Sequence, residues 1–323
     1  MSHPRPAGPL VVVPEPIIDP PWSYEPERDL LATRGVSLEV ANEANQNHLL
    51  GQADAVLVCM PFPAADLRLL RPKVPLVCYG VGMNAVDLDE ARRLGHPVRN
   101  VPDFCTTEVA THAVALLLAL NRRLLGLSAA ARRGDWELGS LSDLPQLRRL
   151  AGQQVGIVGL GRIGSRVAAA IAALGCRVSG YDPFLTEFPH GVEQLTLTEL
   201  LTTSDAIVLC AALNSGSSRL LDEAALATVK PGVVIVNVAR GGLIDEDALV
   251  AGLRSGRVGA AGLDVREIEP PASDDPLREL PNVLLTPHVA AVSQESDADL
   301  HRRAAEVLCE VLTEAGHRLA TAT

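Results

Sequence analysis

Residues 155–182 read VGIVGLGRIGSRVAAAIAALGCRVSGYD. The apolar run 155–158 has the length and composition of a buried parallel strand. GLGRIG follows at once and sets Gly159, Gly161 and Gly164 in a G-x-G-x-x-G pattern. Residues 165–174 are good helix formers, closed by Gly175 as a C-cap. A second strand, 177–181, ends on Asp182. Strand, glycine turn, helix, strand and acid is the order of a dinucleotide-binding βαβ unit. Gly159 permits the turn, Gly161 lets the backbone approach a pyrophosphate, and Gly164 lets helix and strand pack closely. The helix start offers N–H groups and a positive dipole end to phosphates. Asp182, about 20 residues further on, can accept hydrogen bonds from a ribose and repels a 2′-phosphate. The pattern therefore favours NAD over NADP.

A chain of 323 residues suggests about two domains. Aromatic residues make up only 3%, so the cores must be built from Leu, Val and Ala. The formal net charge of −11 opposes nucleic acid or an anionic membrane as the main partner. It leaves a small anionic ligand open, because such a ligand sees only its local pocket. Cys59, Cys78, Cys105, Cys176, Cys210 and Cys309 are scattered. They form no CxxC pair and no Cys/His cluster with zinc-ligand spacing, so no metal is expected. The start, MSHPRPAGPL, lacks the apolar core of a secretory signal. No apolar run has the length of a bilayer span. The expected setting is reducing and cytoplasmic.

Strand-like runs at 10–13, 36–40, 55–60, 76–79 and 97–100 alternate with helical or polar segments at 27–34, 42–51 and 87–94. That alternation predicts a small doubly wound α/β domain. Residues 14–26 are Pro-rich and are not expected to form a regular helix. The longest helical candidate is 106–123, TTEVATHAVALLLALNRR. It is apolar nearly all round from 113 to 120, which predicts burial between domains or subunits. Residues 134–150 read as an irregular arm. Further strands are expected at 206–209, 232–238, 259–265 and 283–285, with helices at 222–229 and 245–255. The result is a six-stranded parallel sheet between about residues 153 and 288. An amphipathic helix, 293–316, then returns to the first domain. The expected boundaries are 1–103 with 290–323 for a discontinuous substrate domain and 104–289 for a cofactor domain, with a ligand cleft between them.

Three polar residues stand beyond apolar strands of the cofactor domain. Arg240 follows VIVNVA, Glu269 lies in EIEPP, and His288 follows the strand 283–285. Carboxyl ends of strands line the ligand crevice in open α/β sheets. Each residue alone has an ordinary structural reading: a loop Arg, an exposed Glu, a satisfied His. Beside a dinucleotide turn they suit hydride exchange with a 2-oxo or 2-hydroxy acid. His288 is then the acid/base. Glu269 holds its ring and favours the imidazolium. Arg240 binds the substrate carboxylate and polarises the carbonyl.

The stretches YGVGMNAVDL, VPDFCTTEVATHAVALLLALNRR, VGIVGLGRIG, KPGVVIVNVARGGLIDEDALVAGLRSGRV, GLDVREIEPP and LPNVLLTPHVA together resemble the D-isomer-specific 2-hydroxyacid dehydrogenase family. They run in that family's order from Tyr79 to Ala290, and look most like its C-terminal-binding-protein-like and phosphoglycerate-dehydrogenase-like branch. The resemblance implies two doubly wound parallel-sheet α/β domains, a Rossmann cofactor domain inserted into a flavodoxin-like substrate domain. It implies Arg240, Glu269 and His288 as the catalytic set. It implies NAD contacts at Thr107, Arg162, Ile163, Asp182, Val238, Ala239, Arg240 and Asp264, in addition to the three glycines, and substrate carboxylate contacts at the N–H groups of Val81 and Gly82. It also implies a homodimer through the cofactor domain. The chain departs from the family's pattern at Asn84, Ala85, Thr111, Cys210 and Ala212, and in AAVSQES after His288. An alternative reading within the family is an NAD(H)-sensing binding protein without turnover, or a related NAD enzyme acting on an atypical substrate.

Overall fold

The structure, a computed structural model, describes residues 8–14, 23–137 and 147–321. It divides into two compact units, Met1–Cys105 with Ser293–Thr323, and Thr106–Val292. The chain leaves the first unit once and returns to it once, so the second unit is an insertion.

The first unit alternates β1 (Leu10–Val13), α1 (Glu25–Ala32), β2 (Ser37–Val40), α2 (Gln46–Gln52), β3 (Ala55–Val58), α3 (Ala64–Leu67), β4 (Leu76–Cys78), α4 (Leu88–Leu94) and β5 (Val98–Asn100). Its strands lie in the order β2-β1-β3-β4-β5 and all pair in parallel. This is the flavodoxin-like order. The central strands are apolar throughout because both faces are covered. Val11, Val13, Ala55, Leu57 and Val77 pack with α1 and with the chain's last helix. Leu10, Val12, Val56, Val58, Leu76 and Cys78 pack on the other face with α2, α3 and α4.

The second unit begins with α5 (Thr106–Asn121) and α6 (Leu124–Arg132). It continues with β6 (Gln154–Val158), α7 (Arg162–Ala173), β7 (Arg177–Tyr181), β8 (Val192–Gln194), α8 (Leu197–Thr203), β9 (Ala206–Leu209), α9 (Glu223–Thr228), β10 (Val233–Asn237), α10 (Glu246–Ser255), β11 (Val258–Leu263) and β12 (Val283–Leu285). The strands run β12-β11-β10-β9-β6-β7-β8, again all parallel. This is the Rossmann order with a seventh strand beyond β11. Helices α8, α9 and α10 cover one face through Leu200, Leu226, Leu249 and Leu253. Helix α5 packs against α7, β10 and β11. Its close approach is possible because Gly262 has no Cβ; one placed there would lie 3.0 Å from Leu120. The buried side of this apolar helix is thus met within its own unit. After β12 the chain crosses back as α11 (Gln294–Glu314), capped at Ser293.

The sheet has seven strands where the sequence suggested six. The additional β8, VEQ, is a half-exposed edge strand with one apolar residue, so it carries no hydrophobic run. Helix α8 was also not expected, although Thr196 and Glu199 form a capping box at its start. Helices α3 and α6 are likewise additional. Helix α1 starts at Glu25 inside the Pro-rich stretch, since Pro26 occupies the first turn, where its missing N–H costs nothing. Helix α7 starts at Arg162, three residues before the expected start. Of the expected irregular arm, residues 138–146 lie outside the described residues. Among the described residues no single helix is long and apolar enough to cross a membrane, and no cysteine is joined in a disulfide.

A polar cluster centred on Glu27 is buried in the first unit. Glu27 on α1 has no exposed surface. Its Oε1 accepts the Tyr79 hydroxyl at 2.5 Å and lies 2.7 Å from His301 Nδ1 on α11. Burial, and then the Glu27 charge, hold the Tyr79 phenol far above its usual value. The cluster ties α1 and α11 to the end of β4. Tyr79→Phe should therefore lower the stability of this unit by about 1–3 kcal/mol. Urea denaturation followed by circular dichroism measures this, and an unchanged midpoint would show that Glu27 does not depend on the phenol.

Candidate active site

The glycine turn lies between β6 and α7, and each glycine has its own reason. Gly159 has φ 87°, and a Cβ on it would lie 2.7 Å from the Ala211 backbone. A Cβ on Gly164 would lie 1.9 Å from the Gly159 carbonyl oxygen. A Cβ on Gly161 would meet nothing within 4 Å. Two glycines thus allow backbone contacts within the protein, while the middle one faces open space. Helix α7 begins at Arg162, so Arg162, Ile163 and Gly164 form its first turn, where N–H groups lack intrahelical partners.

Asp182 lies at the end of the neighbouring β7. Its Oδ2 accepts Leu160 N–H at 2.9 Å and its Oδ1 accepts Phe184 N–H at 3.0 Å. The acid is therefore fixed against the turn, and each oxygen retains further acceptor capacity. The turn sits where the sheet order reverses, between β6 and β9, which is where ligands bind in such sheets. Residues after β9 form the other side of that point. Cys210 lies there, its thiol pushed up to about 12 by burial. Thr107 is exposed near the start of α5, and its carbonyl accepts the Thr111 hydroxyl at 2.7 Å.

Strands β10, β11 and β12 are neighbours, so their carboxyl ends lie side by side. Val238, Ala239 and Arg240 follow β10. Buried Asn237 shapes their bend with both ends of its amide: Nδ2 donates to Arg240 O at 2.9 Å and Oδ1 accepts Ala239 N–H at 3.0 Å. The Arg240 guanidinium donates to Ala239 O at 2.6 Å. Glu269 comes after β11 and His288 after β12. Glu269 Oε2 lies 2.6 Å from His288 Nδ1, and Oε1 accepts Arg266 N–H at 2.7 Å. Burial pushes the Glu269 carboxyl up, but hydrogen bonds from His288 and Arg266 N–H, with the His288 and Arg240 charges, hold it below its ordinary value.

His288 has φ 53°, a left-handed conformation uncommon for a residue with a side chain. Asp264, 1% exposed, holds the loop in that shape. Its Oδ1 accepts the Thr286 hydroxyl at 2.6 Å and Val289 N–H at 2.9 Å, and its Oδ2 accepts Ala290 N–H at 2.9 Å. Its backbone carbonyl accepts His288 N–H at 2.8 Å. The Thr286 hydroxyl proton goes to Asp264, so His112 Nε2, 3.0 Å from the same oxygen, is the donor there. Sequence reasoning placed Asp264 beside the cofactor and assigned nothing to Asn237, Thr286 or His112. A polar residue closing an apolar strand was the available signal for Asn237.

Val81 and Gly82 follow β4 in the first unit. Gly80 has φ 147°, Val101 N–H donates to Gly80 O at 3.0 Å, and Asn100 Nδ2 donates to Val81 O at 2.6 Å. Among the described residues no group of His, Cys, Asp and Glu is arranged to hold a metal ion.

The family model for the NAD-binding domain of D-isomer-specific 2-hydroxyacid dehydrogenases matches residues 114–290. The chain is 42% identical over 250 residues to D-3-phosphoglycerate dehydrogenase of Mycobacterium leprae, covering 76% of this chain and 46% of that one. It is 37% identical over 219 residues to hydroxypyruvate reductase of Thermotoga maritima, covering 67% and 70%. The solved D-lactate dehydrogenase from Aquifex aeolicus, complexed with NAD and lactic acid, is similar with a TM-score of 0.80 and 26% identity, over 94% of this chain and 96% of that one. The chain spans about half the length of the phosphoglycerate dehydrogenases it matches.

Gly164→Ala should cost about 1–3 kcal/mol or more, because backbone must move. Gly161→Ala should leave thermal unfolding nearly unchanged, and equal melting of the two variants would contradict this geometry. The Glu269 carboxyl is depressed in the folded chain, so its contribution to stability is complete above its unfolded value of about 4.3 and is lost as pH falls through the folded value. Glu269→Gln should remove that part of the acid dependence, measured as the difference between unfolding midpoints near neutrality and at acid pH.

Proposed function

The chain belongs to the D-isomer-specific 2-hydroxyacid dehydrogenase family, and we propose that it is an NAD-dependent oxidoreductase interconverting a small 2-oxo acid and its D-2-hydroxy acid. The observation that carries this reading is the 2.6 Å contact between Glu269 and His288 on the sheet edge that also bears the glycine turn. An acid/base pair on that edge is what carbonyl reduction needs and what a nucleotide sensor does not.

The turn fits a dinucleotide on its own geometry, since a Cβ on Gly161 would enter open space beside a helix N-terminus. Gly159, Gly161, Arg162, Ile163 and Gly164 would hold the pyrophosphate, Asp182 a ribose, and Thr107, Val238 and Ala239 the remainder. Bound there, NADH supplies the hydride. His288 supplies the proton. With Nδ1 turned to the Glu269 carboxylate, Nε2 is the nitrogen that gives a proton to the substrate oxygen in reduction and takes it back in oxidation. The carboxylate fixes the ring and its tautomer. Arg240 pairs with the substrate carboxylate and draws charge onto the carbonyl oxygen. Asp264 acts at one remove, by shaping the loop that carries His288.

The half-exposed Leu124 and Leu125 on α6 support a homodimer through the second unit. Cysteines without disulfides support a reducing, cytoplasmic setting. Neither nucleic acid nor membrane enters this reading.

NADH oxidation should be seen with members of a 2-oxo acid panel running from glyoxylate and hydroxypyruvate to bulky acids. His288→Ala should lower kcat by about 100-fold or more, while NADH binding followed by fluorescence stays near the parent value. Retained turnover in that variant would remove His288 from the chemistry.

A further inference from the structure

Glu269 faces His288 with one oxygen and its own chain with the other, at Arg266 N–H. Arg266 is itself anchored. Its side chain is only 8% exposed, yet it carries a guanidinium. Nε and Nη2 donate to Glu246 Oε1 and Oε2, both at 2.9 Å, as a two-pronged pair. Nη1 donates to Asp275 Oδ2 at 2.5 Å, and Asp275 is also 8% exposed. Glu246 Oε1 further accepts Glu267 N–H at 2.8 Å. Asp275 Oδ1 accepts Leu277 N–H at 3.0 Å and so caps the short turn Pro276–Arg278. One guanidinium thus joins the start of α10, the exit from β11 and the 275–278 turn. The same segment meets the loop after Arg240, since a Cβ on Gly241 would lie 1.8 Å from the Arg266 carbonyl carbon.

Desolvating a guanidinium and two carboxylates is costly, and well-packed apolar side chains often stabilise such a place as well or better. A planar fork gripped from two sides does something apolar packing does less well: it fixes the direction of the backbone that bears it. We propose that Arg266 is a positioning residue, whose guanidinium, clamped by Glu246 and Asp275, fixes the 266–269 backbone so that Glu269 keeps one oxygen on Arg266 N–H and the other on His288. Its catalytic consequence rests on the reductase reading; its structural consequence does not.

NMR of the His288 Nδ1–H proton, in the full chain without cofactor, tests the structural part. A ring proton held on the Glu269 carboxylate resonates far downfield and exchanges slowly with water. Glu269→Ala should remove that resonance. Arg266→Met should weaken it, moving it upfield and speeding its exchange. Loss of a positive charge alone would leave the bond in place, so the resonance separates positioning from long-range electrostatics. In the Glu269→Ala background Arg266→Met should add nothing. Arg266→Met leaves Glu246 and Asp275 uncompensated and is not assumed to fold, so Arg266→Lys, which keeps the charge and loses the fork, is measured beside it and should weaken the resonance less. An unchanged resonance in the folded variants overturns the proposal.

The catalytic part is read separately. Arg266→Lys should lower kcat with a 2-oxo acid by roughly tenfold to a hundredfold, with NADH binding unchanged. If the parent chain turns over no 2-oxo acid, the reductase reading fails, and the His288 ring-proton resonance still decides whether Arg266 positions Glu269.

Discussion

Parallel pairing is the constraint from which the candidate site follows. A strand that pairs in parallel with its neighbour must be reached by a crossover, and the crossover helices bury both faces of the sheet. The C-terminal ends of adjacent strands then collect along one edge. In the second unit this brings the segments after β10, β11 and β12 together, although Arg240 and His288 are far apart in sequence. The reversal of strand order between β6 and β9 leaves the glycine turn at the place where backbone N–H groups have room for an outside partner.

An edge of this kind exposes chain ends of buried strands, and those ends need partners. The sequence meets the need with polar residues placed where each strand stops. Asn237 closes β10 and folds its amide onto Ala239 and Arg240. Asp264 follows β11 and accepts two N–H groups and a hydroxyl from the segment after β12. Backbone satisfaction and site geometry are thereby one problem. The hydrogen bonds that make the left-handed turn at His288 affordable also fix where its ring begins.

Much of this was legible in the residues. Apolar runs of strand length, helices of the right period and the glycine pattern locate the parallel sheets, since each feature is local and follows from backbone chemistry. Features with weak local signals were not found. VEQ at β8 becomes a strand because β7 offers it an edge, not because of its own composition. The α8 capping box was present but short. Arg240, Glu269 and His288 could be named from their place after strands. The partners of Asp264 could not, because Thr286, Val289, Ala290 and His112 reach it through the fold. Nor could the partners of Arg266, whose carboxylates come from two other segments.

Each unit contains a buried charged cluster, and each lies behind a loop at the C-terminal edge of its sheet. In the first, Glu27, Tyr79 and His301 meet immediately before Gly80, Val81 and Gly82. In the second, Arg266, Glu246 and Asp275 meet immediately before Glu269. Apolar residues could fill both places without the cost of desolvating charge. They would leave the following backbone to choose among several packings of similar energy, since dispersion contacts carry little direction. A carboxylate shared by a phenol and an imidazole, or a guanidinium held by two carboxylates, has few satisfactory arrangements, and a wrong one strands a charge away from water. Such clusters therefore make imprecise loop geometry costly. Placing one behind each loop makes direction, more than stability, the property that the buried charges supply.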